Sequence, residues 1–186
     1  PNSKWSSDIV FCSDCLPGDT MVVFIGGDGG VTRASTSGQL FHSATVEDGL
    51  PASFVRDLHA FAGRLFAATW ESKTGNAAGL AVSDDGGETF TEVDDFIQYS
   101  GPPERIHEVI DMRGRLYLAM EEEGLWVSAD TGDTWQQIIV DPSNPATNRR
   151  NVVWGLEAIE DTLRVGTDSG LVTLYMDASG GIDSSK

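Results

Sequence analysis

An eight-residue motif that occurs twice, S-x-D-x-G-x-T-[F/W], constrains the fold of this chain more than any other feature. One copy begins at Ser83 and the other at Ser128, 45 residues later. A degenerate copy at residues 34–41 lies 49 residues before the first and keeps one glycine and one aromatic residue in register. Repetition at a fixed period of this size is the sequence signature of repeat architectures such as solenoids and propellers.

Short apolar segments recur around the motif with the same period. A step from glycine to an apolar residue begins one of them in each repeat, at Gly30, Gly79, Gly124 and Gly170. Two apolar segments precede each step, and another follows the motif. Four short strands in about 45 to 50 residues is the size of one propeller blade. The sequence therefore predicts an all-β chain built from β-propeller blades of four antiparallel strands.

The predicted blades belong to a single propeller and cover residues 7–50, 51–100, 101–148 and 149–186. The fourth repeat is expected to stop after its third strand, because few residues follow it. We therefore predict about four blades of a larger propeller, with a complete four-bladed ring as the alternative. The absence of an initial methionine agrees with a processed, trimmed or partial chain. Open blade faces would favour self-association or packing against further blades of a longer chain.

The repeated motif has a structural explanation. Asp85 and Asp130 are expected to accept hydrogen bonds from backbone N–H groups of their own turns. A glycine two residues later permits positive φ where the hairpin reverses, and the final aromatic residue begins the next strand and packs inward. The motif thus predicts a hairpin and not a ligand site. The residues assigned to this structural role are Ser83, Asp85, Gly87, Phe90, Ser128, Asp130, Gly132 and Trp135.

The two complete copies resemble the Asp-box, or BNR, repeats of sialidase-like propellers. Asp48-Gly49-Leu50-Pro51, Gly63-Arg64-Leu65-Phe66 and residues 161–167 look like the propeller repeats of bacterial two-component sensor ectodomains. The two resemblances together cover roughly residues 8 to 176. In Asp-box families the box aspartate is structural, so the resemblance implies a fold much more strongly than an activity.

The charge balance excludes several classes of partner. The chain has 29 Asp and Glu against 12 Lys and Arg, a formal net charge of -17. Such a surface repels nucleic-acid phosphates and anionic lipid, so neither partner is predicted. No apolar run of about 18 residues is present, so no membrane insertion is predicted. An extracellular, cell-surface or periplasmic location is expected.

The two cysteines, Cys12 and Cys15, form a C-x-x-C pair. A loop-closing disulfide in an oxidising compartment is the favoured interpretation, and two unlinked thiols, half of a metal site or a redox motif remain open. A zinc site needs about four ligands, and the three histidines are scattered, so no metal site is predicted. No cofactor is predicted either. Calcium could bind a carboxylate cluster, but no D-x-D-x-D-G loop supports it.

In a propeller blade, the turns after the second strand and the connections between blades lie on one face. In this chain those segments carry carboxylates in every repeat, together with aromatic residues. Two interpretations are open: the carboxylates form a face for cations or for a polar ligand such as a glycan, or turns in an acidic protein simply contain acids. The candidate ligand-face residues are Trp70, Glu71, Asp94, Tyr99, Glu121, Glu122, Arg149 and Asp168, with Asp28 and Trp154 at the same face.

The predicted function is that of a non-enzymatic binding or scaffold module for protein or glycan. The alternative is a glycoside hydrolase of the Asp-box propeller type that cuts a polysaccharide with paired carboxylates, for example Asp94 or Asp95 with Glu121. Sialidase activity is disfavoured, because residues 105–107 only approach the Arg-Ile-Pro motif of sialidases. Self-association is a further expected property.

Overall fold

The computed structural model describes residues 10–14, 22–70, 78–93, 105–121, 123–140 and 152–183. These residues form four sheets, in which strands that are consecutive in the chain are neighbours. Sheets 1 to 3 have four strands each and sheet 4 has three among the described residues, so the prediction of an all-β chain with four-stranded antiparallel units is confirmed. The segment 54–61, whose apolar residues could also share one helical face, is a strand.

The strands are β1 (Val10–Asp14), β2 (Val22–Gly27), β3 (Gly30–Ser35) and β4 (Leu40–Ala44) in sheet 1; β5 (Phe54–Phe61), β6 (Arg64–Trp70), β7 (Gly79–Ser83) and β8 (Thr91–Glu92) in sheet 2; β9 (Ile106–Met112), β10 (Arg115–Met120), β11 (Gly124–Ser128) and β12 (Gln136–Ile138) in sheet 3; and β13 (Val153–Ile159), β14 (Thr162–Thr167) and β15 (Gly170–Tyr175) in sheet 4. A 3-10 turn (Val46–Asp48), capped by Thr45, leads from sheet 1 to sheet 2. The chain divides into two compact units, residues 1–106 and 107–186.

In the first unit, the apolar faces of sheets 1 and 2 form one core, in which Phe24 of β2 is fully buried. The turn between β7 and β8 packs on this ring so closely that a Cβ added to Gly87 would lie 2.7 Å from Phe24 Cε1. A second link joins the first strands of the two sheets, because Asp14 Oδ2 accepts a hydrogen bond from the Ala60 amide at 2.5 Å.

The second unit repeats both of these links between sheets 3 and 4. Its core surrounds Tyr117 of β10, whose ring is fully buried and whose hydroxyl donates to the Gly180 carbonyl at 2.7 Å. Burial raises the pKa of the Tyr117 hydroxyl above its usual value. Glu108 Oε2 of β9 accepts a hydrogen bond from the Leu156 amide of β13 at 2.6 Å.

One register position distinguishes sheet 4 from the others. Phe24, Phe66 and Tyr117 lie at the same position in the second strands of their sheets, each opposite the equivalent residue of the third strand. All three are at most 1% exposed. In sheet 4 this position holds Arg164, which is exposed and pairs with Glu157 at 3.4 Å. Among the described residues nothing covers this face of sheet 4. Its third strand, β15, is correspondingly exposed, whereas β11 is mostly buried.

Candidate functional site

Trp70, the last residue of β6, lies at the strand end where the ligand face was predicted. Its ring stacks on Phe54 with a centroid separation of 6.2 Å, and its indole Nε1 donates to the Ile106 carbonyl at 2.9 Å. The guanidinium groups of Arg56 and Arg105 lie 5.5 and 6.0 Å from the ring centre. The ring is therefore occupied by packing and cation–π contacts within the first unit.

In the second unit three side chains meet at the corresponding end of the strands, and we call them the Trp154 cluster: Trp154, His107 and Glu121. The imidazole of His107 lies 4.8 Å from the Trp154 ring, tilted by 55°. His107 Nε2 and Glu121 Oε2 are 3.8 Å apart. The His107 side chain is 3% exposed, whereas Trp154 is 52% exposed. A buried imidazole and a half-buried carboxylate thus support a large aromatic ring that remains open to solvent.

This arrangement has the chemistry of a recognition surface. An exposed indole offers a flat apolar area and an N–H donor, and the carboxylate of Glu121 can accept hydrogen bonds from hydroxyl groups. His107 was missing from the sequence-based candidates, although it occupies the same position in β9 as Trp154 does in β13. Only this periodic position, 47 residues apart, could have pointed to it.

The other candidate residues are spread over separate turns and connections. Asp168 is exposed in the β14–β15 turn, where its Oδ1 accepts a hydrogen bond from Ser169 Oγ at 3.4 Å, and Asp28 lies in the β2–β3 turn. Within the described ranges no group of three or more His, Cys, Asp or Glu residues could hold a metal ion. The candidates Glu71, Asp94, Asp95, Tyr99, Glu122, Arg149 and Cys15 lie outside the described residues. The disulfide between Cys12 and Cys15 therefore stays a prediction.

The turn between β7 and β8 is closed by Asp85. Its carboxylate accepts hydrogen bonds from the Thr89 hydroxyl at 2.6 Å, from the Thr89 amide at 3.0 Å and from the Glu88 amide at 3.1 Å. The Ser83 hydroxyl donates to the carboxylate at 2.8 Å and accepts from the Gly87 amide at 2.8 Å. The bond from the Thr89 hydroxyl is the main cause that lowers the pKa of Asp85 to about 2.

The turn between β11 and β12 repeats this pattern around Asp130. The carboxylate accepts from the Thr134 hydroxyl at 2.5 Å and from the Thr134 amide at 2.9 Å, and the Ser128 hydroxyl accepts from the Gly132 amide at 2.8 Å. The Thr134 hydroxyl lowers the pKa of Asp130 to about 2. Both carboxylates bind donors of their own turns.

The degenerate turn in sheet 1 keeps part of this geometry with a different alignment. Ser35 Oγ accepts a hydrogen bond from the Gln39 amide four residues later at 2.9 Å, as Ser83 does from Gly87, although the strand register matches Ser83 with Ala34. Ser37 Oγ lies 2.8 Å from Ser35 Oγ, in the place of the aspartate. Phe41, matched to Phe90 by sequence, is 48% exposed and does not pack inward.

A fourth turn follows β15 and was missed by the sequence prediction. The Asp177 carboxylate accepts hydrogen bonds from the Ser179 hydroxyl at 2.7 Å and the Gly181 amide at 2.9 Å, and the Ser179 hydroxyl bond is the main cause that lowers the pKa of Asp177. A single antiparallel bridge then pairs Ile182 with Met176, outside the three strands of sheet 4. The signal was the spacing: Asp177 follows Asp130 by 47 residues.

Comparison with known proteins identifies the fold through solved structures. No protein-family model matches the chain, and no curated protein sequence is significantly similar to it. The GH74 xyloglucanase from Xanthomonas campestris is 18% identical with a TM-score of 0.61, over 94% of this chain and 30% of that chain. The GH74 enzyme from Niastella koreensis is 15% identical with a TM-score of 0.62, over 94% and 29%.

A third similar structure is the extracellular domain of BT3049, assigned to a hybrid two-component system of B. thetaiotaomicron. It is 16% identical with a TM-score of 0.62, over 98% of this chain and 25% of that chain. This chain thus spans less than a third of the length of these three proteins. At such identities the likeness shows the fold alone, and that fold is made of β-propeller blades. Among the described residues no helix is long and apolar enough to cross a membrane.

Proposed function

We propose that this chain is a non-enzymatic, glycan-binding portion of a larger β-propeller and that the Trp154 cluster is its binding surface. The observation that carries the proposal is the 52% exposure of a tryptophan fixed by a buried histidine. An aromatic ring of this kind packs against the apolar face of a sugar, while Glu121 accepts hydrogen bonds from its hydroxyls. A protein loop with an apolar, hydroxyl-rich tip is the other partner within this proposal.

We also propose that the turns around Asp85 and Asp130 are Asp-boxes and that the blades follow the boundaries 7–50, 51–100, 101–148 and 149–186. The hydrogen bonds of each aspartate to the threonine four residues later support this assignment. An extracellular, cell-surface or periplasmic location is part of the proposal. It is supported by the similarity to the extracellular domain of BT3049 and by the acidic surface, which disfavours nucleic-acid partners.

The binding proposal is tested by calorimetric titration of the purified chain with a panel of oligosaccharides, including xyloglucan fragments. We expect Trp154→Ala to weaken binding of any recognised glycan at least about tenfold, because it removes the stacking surface. Trp154→Phe should retain most of the affinity. Tyr175→Ala is the matched control, since it removes another exposed aromatic ring of the same unit. Equal losses in Trp154→Ala and Tyr175→Ala would contradict the assignment.

A glycoside hydrolase of the Asp-box type remains the second candidate, favoured by the two GH74 enzymes among the similar structures. The carboxylate pair suggested for it combines Glu121 with Asp94 or Asp95, of which the last two lie outside the described residues. The same oligosaccharides are incubated with the chain and analysed for shortened products. Cleavage that disappears in Glu121→Gln while binding persists would establish the hydrolase and overturn the non-enzymatic proposal.

A further inference from the structure

A groove of about 450 Å³ opens in the second unit, beside the outer strand of sheet 3. Its size lies within the range of pockets that bind ligands, roughly 300 to 1,000 Å³. Val127, Ile138, Ile139 and Ile182 supply apolar walls, and Arg115 is the cation in the lining. Ile139 and Ile182 are 49% and 42% exposed, so the apolar walls reach the surface.

A single difference between repeats explains why Arg115 faces this groove. Arg64, at the equivalent first position of β6, donates from its Nε to Asp84 in the turn of its own sheet at 2.7 Å. In sheet 3 the residue that corresponds to Asp84 is Ala129, so this carboxylate is missing. Arg115 Nε instead donates to the Ser179 carbonyl at 2.9 Å. Asp177 acts on Arg115 electrostatically, and no carboxylate of the described ranges forms an ion pair with it.

We propose that the groove binds the C-terminal end of a peptide whose last residue is aliphatic. The aliphatic side chain fills the apolar part of the groove, and the terminal carboxylate pairs with the guanidinium of Arg115. A peptide is favoured over a fatty acid because β12 is the outer strand of its sheet and, among the described residues, pairs only with β11. The other edge of β12 can therefore hydrogen-bond an extended backbone, which a fatty acid lacks.

Charge complementarity extends the description of the partner. The net charge of -17 attracts a peptide that carries basic residues before its aliphatic end. Within the groove, the free carboxylate of the peptide pairs with Arg115, which supplies the matching charge.

The groove is separate from the Trp154 cluster, so this inference goes beyond the proposed function. Arg115 is the first residue of β10, whereas Glu121 follows its last residue. The two sites therefore lie at opposite ends of one strand. A Trp154→Ala chain should bind the peptide with unchanged affinity, and failure of either proposal leaves the other standing.

The test measures fluorescence anisotropy of a labelled hexapeptide, KTKTVI, with the complete chain. We expect the free-acid peptide to bind at least about tenfold more tightly than the same peptide with an amidated C-terminus, since the amide lacks the charge that pairs with Arg115. Arg115→Gln should abolish this difference between the two peptides. Arg64→Gln, the equivalent substitution in sheet 2, is the matched control and should preserve it.

Ile139→Asp provides a second variant if Arg115→Gln does not fold. It places a negative charge at the exposed wall of the groove and should weaken both peptides. The proposal is overturned if the acid and the amide bind the wild-type chain equally, if neither binds up to about 1 mM, or if the acid-over-amide preference survives in Arg115→Gln. Competition by octanoate as effective as that of the unlabelled free-acid peptide would also overturn it, because the backbone would then contribute nothing.

Discussion

In both sheet 1 and sheet 2 a turn connects the third strand to the fourth, but only the turn of sheet 2 is closed by a carboxylate. In both turns a serine hydroxyl accepts the amide four residues later, Ser35 from Gln39 and Ser83 from Gly87. Asp85 then binds two further amides and a hydroxyl, whereas Ser37 shares a hydrogen bond with the hydroxyl of Ser35.

In the turn of sheet 1, a serine and backbone hydrogen bonds reverse the chain without a carboxylate, whereas in sheet 2 the aspartate adds hydrogen bonds to the backbone that follows the reversal. The turn of sheet 2 includes Gly87, which packs on Phe24 of the neighbouring sheet. A turn that serves as a packing surface needs a defined backbone, and the bonds from the Glu88 and Thr89 amides and the Thr89 hydroxyl to one carboxylate supply it. The turn of sheet 1 lacks such a carboxylate, and Phe41, which follows it, is exposed instead of packed.

The largest expected effect comes from filling the space at Gly87. Gly87→Ala should destabilise the chain by about 2–4 kcal/mol, because an alanine is strained at φ 82° and its Cβ overlaps the Phe24 ring. Gly86 and Gly38 have similar positive φ values but no close neighbours. Gly86→Ala and Gly38→Ala should therefore lower the free energy of unfolding by only about 1 kcal/mol each. Urea unfolding measures all three. Equal losses would show that the contact between sheets contributes nothing.

Removing a turn carboxylate should have the next largest effect. Asp130→Ala is expected to lower the free energy of unfolding by about 1–2 kcal/mol, because the amide and the hydroxyl of Thr134 both lose their acceptor. Ser37→Ala in the turn of sheet 1 should cost about 0.5 kcal/mol or less. Asp168→Ala, in an exposed hairpin turn, is the control and should be neutral. A cost for Ser37→Ala as large as that for Asp130→Ala would remove the distinction between the turns.

The smallest effect is the acid dependence of the two turns. The pKa values of Asp85 and Asp130 are lowered to about 2 in the folded chain. Because an unfolded aspartate has a pKa of about 3.9, the two carboxylates stabilise the fold fully above that pH. This stabilisation is lost as the pH falls through about 2. With allowance for solvent screening, each contributes about 1 kcal/mol. Thermal unfolding between pH 5 and 2 should show a steeper loss in the wild-type chain than in the Asp85→Asn/Asp130→Asn double variant. Parallel profiles would contradict the lowered pKa values.

The sequence was sufficient to predict the strands and their order, because the step from glycine to an apolar residue marks the same place in every repeat. It also indicated the role of Asp85, since the donors that Asp85 binds lie within four residues of it. Such local contacts are visible in a linear pattern. The turn at Asp177 escaped detection because its serine and threonine positions are replaced, although the hydrogen bonds of its aspartate are retained.

The residues missed at the candidate sites have non-local causes. His107 contacts Trp154, which lies in the next repeat, so its environment cannot be inferred from its own segment. The position of Arg115 depends on Ala129 and on the Ser179 carbonyl. Trp70 lies at a strand end, and its contacts with Phe54 and Arg56 were not foreseen. Packing between repeats decides which aromatic rings stay exposed.

The paired contacts Phe24–Gly87 and Tyr117–Gly180 bear on how such a chain can evolve. Within each unit one sheet supplies the ring and its neighbour supplies the turn that contacts it, so the contact needs both sheets. Duplication of a gene segment encoding two sheets would add a complete, compatible contact in a single event. Loss of half a repeat would leave a ring without its turn. Pairs of whole repeats are therefore the units by which selection can lengthen or shorten this protein.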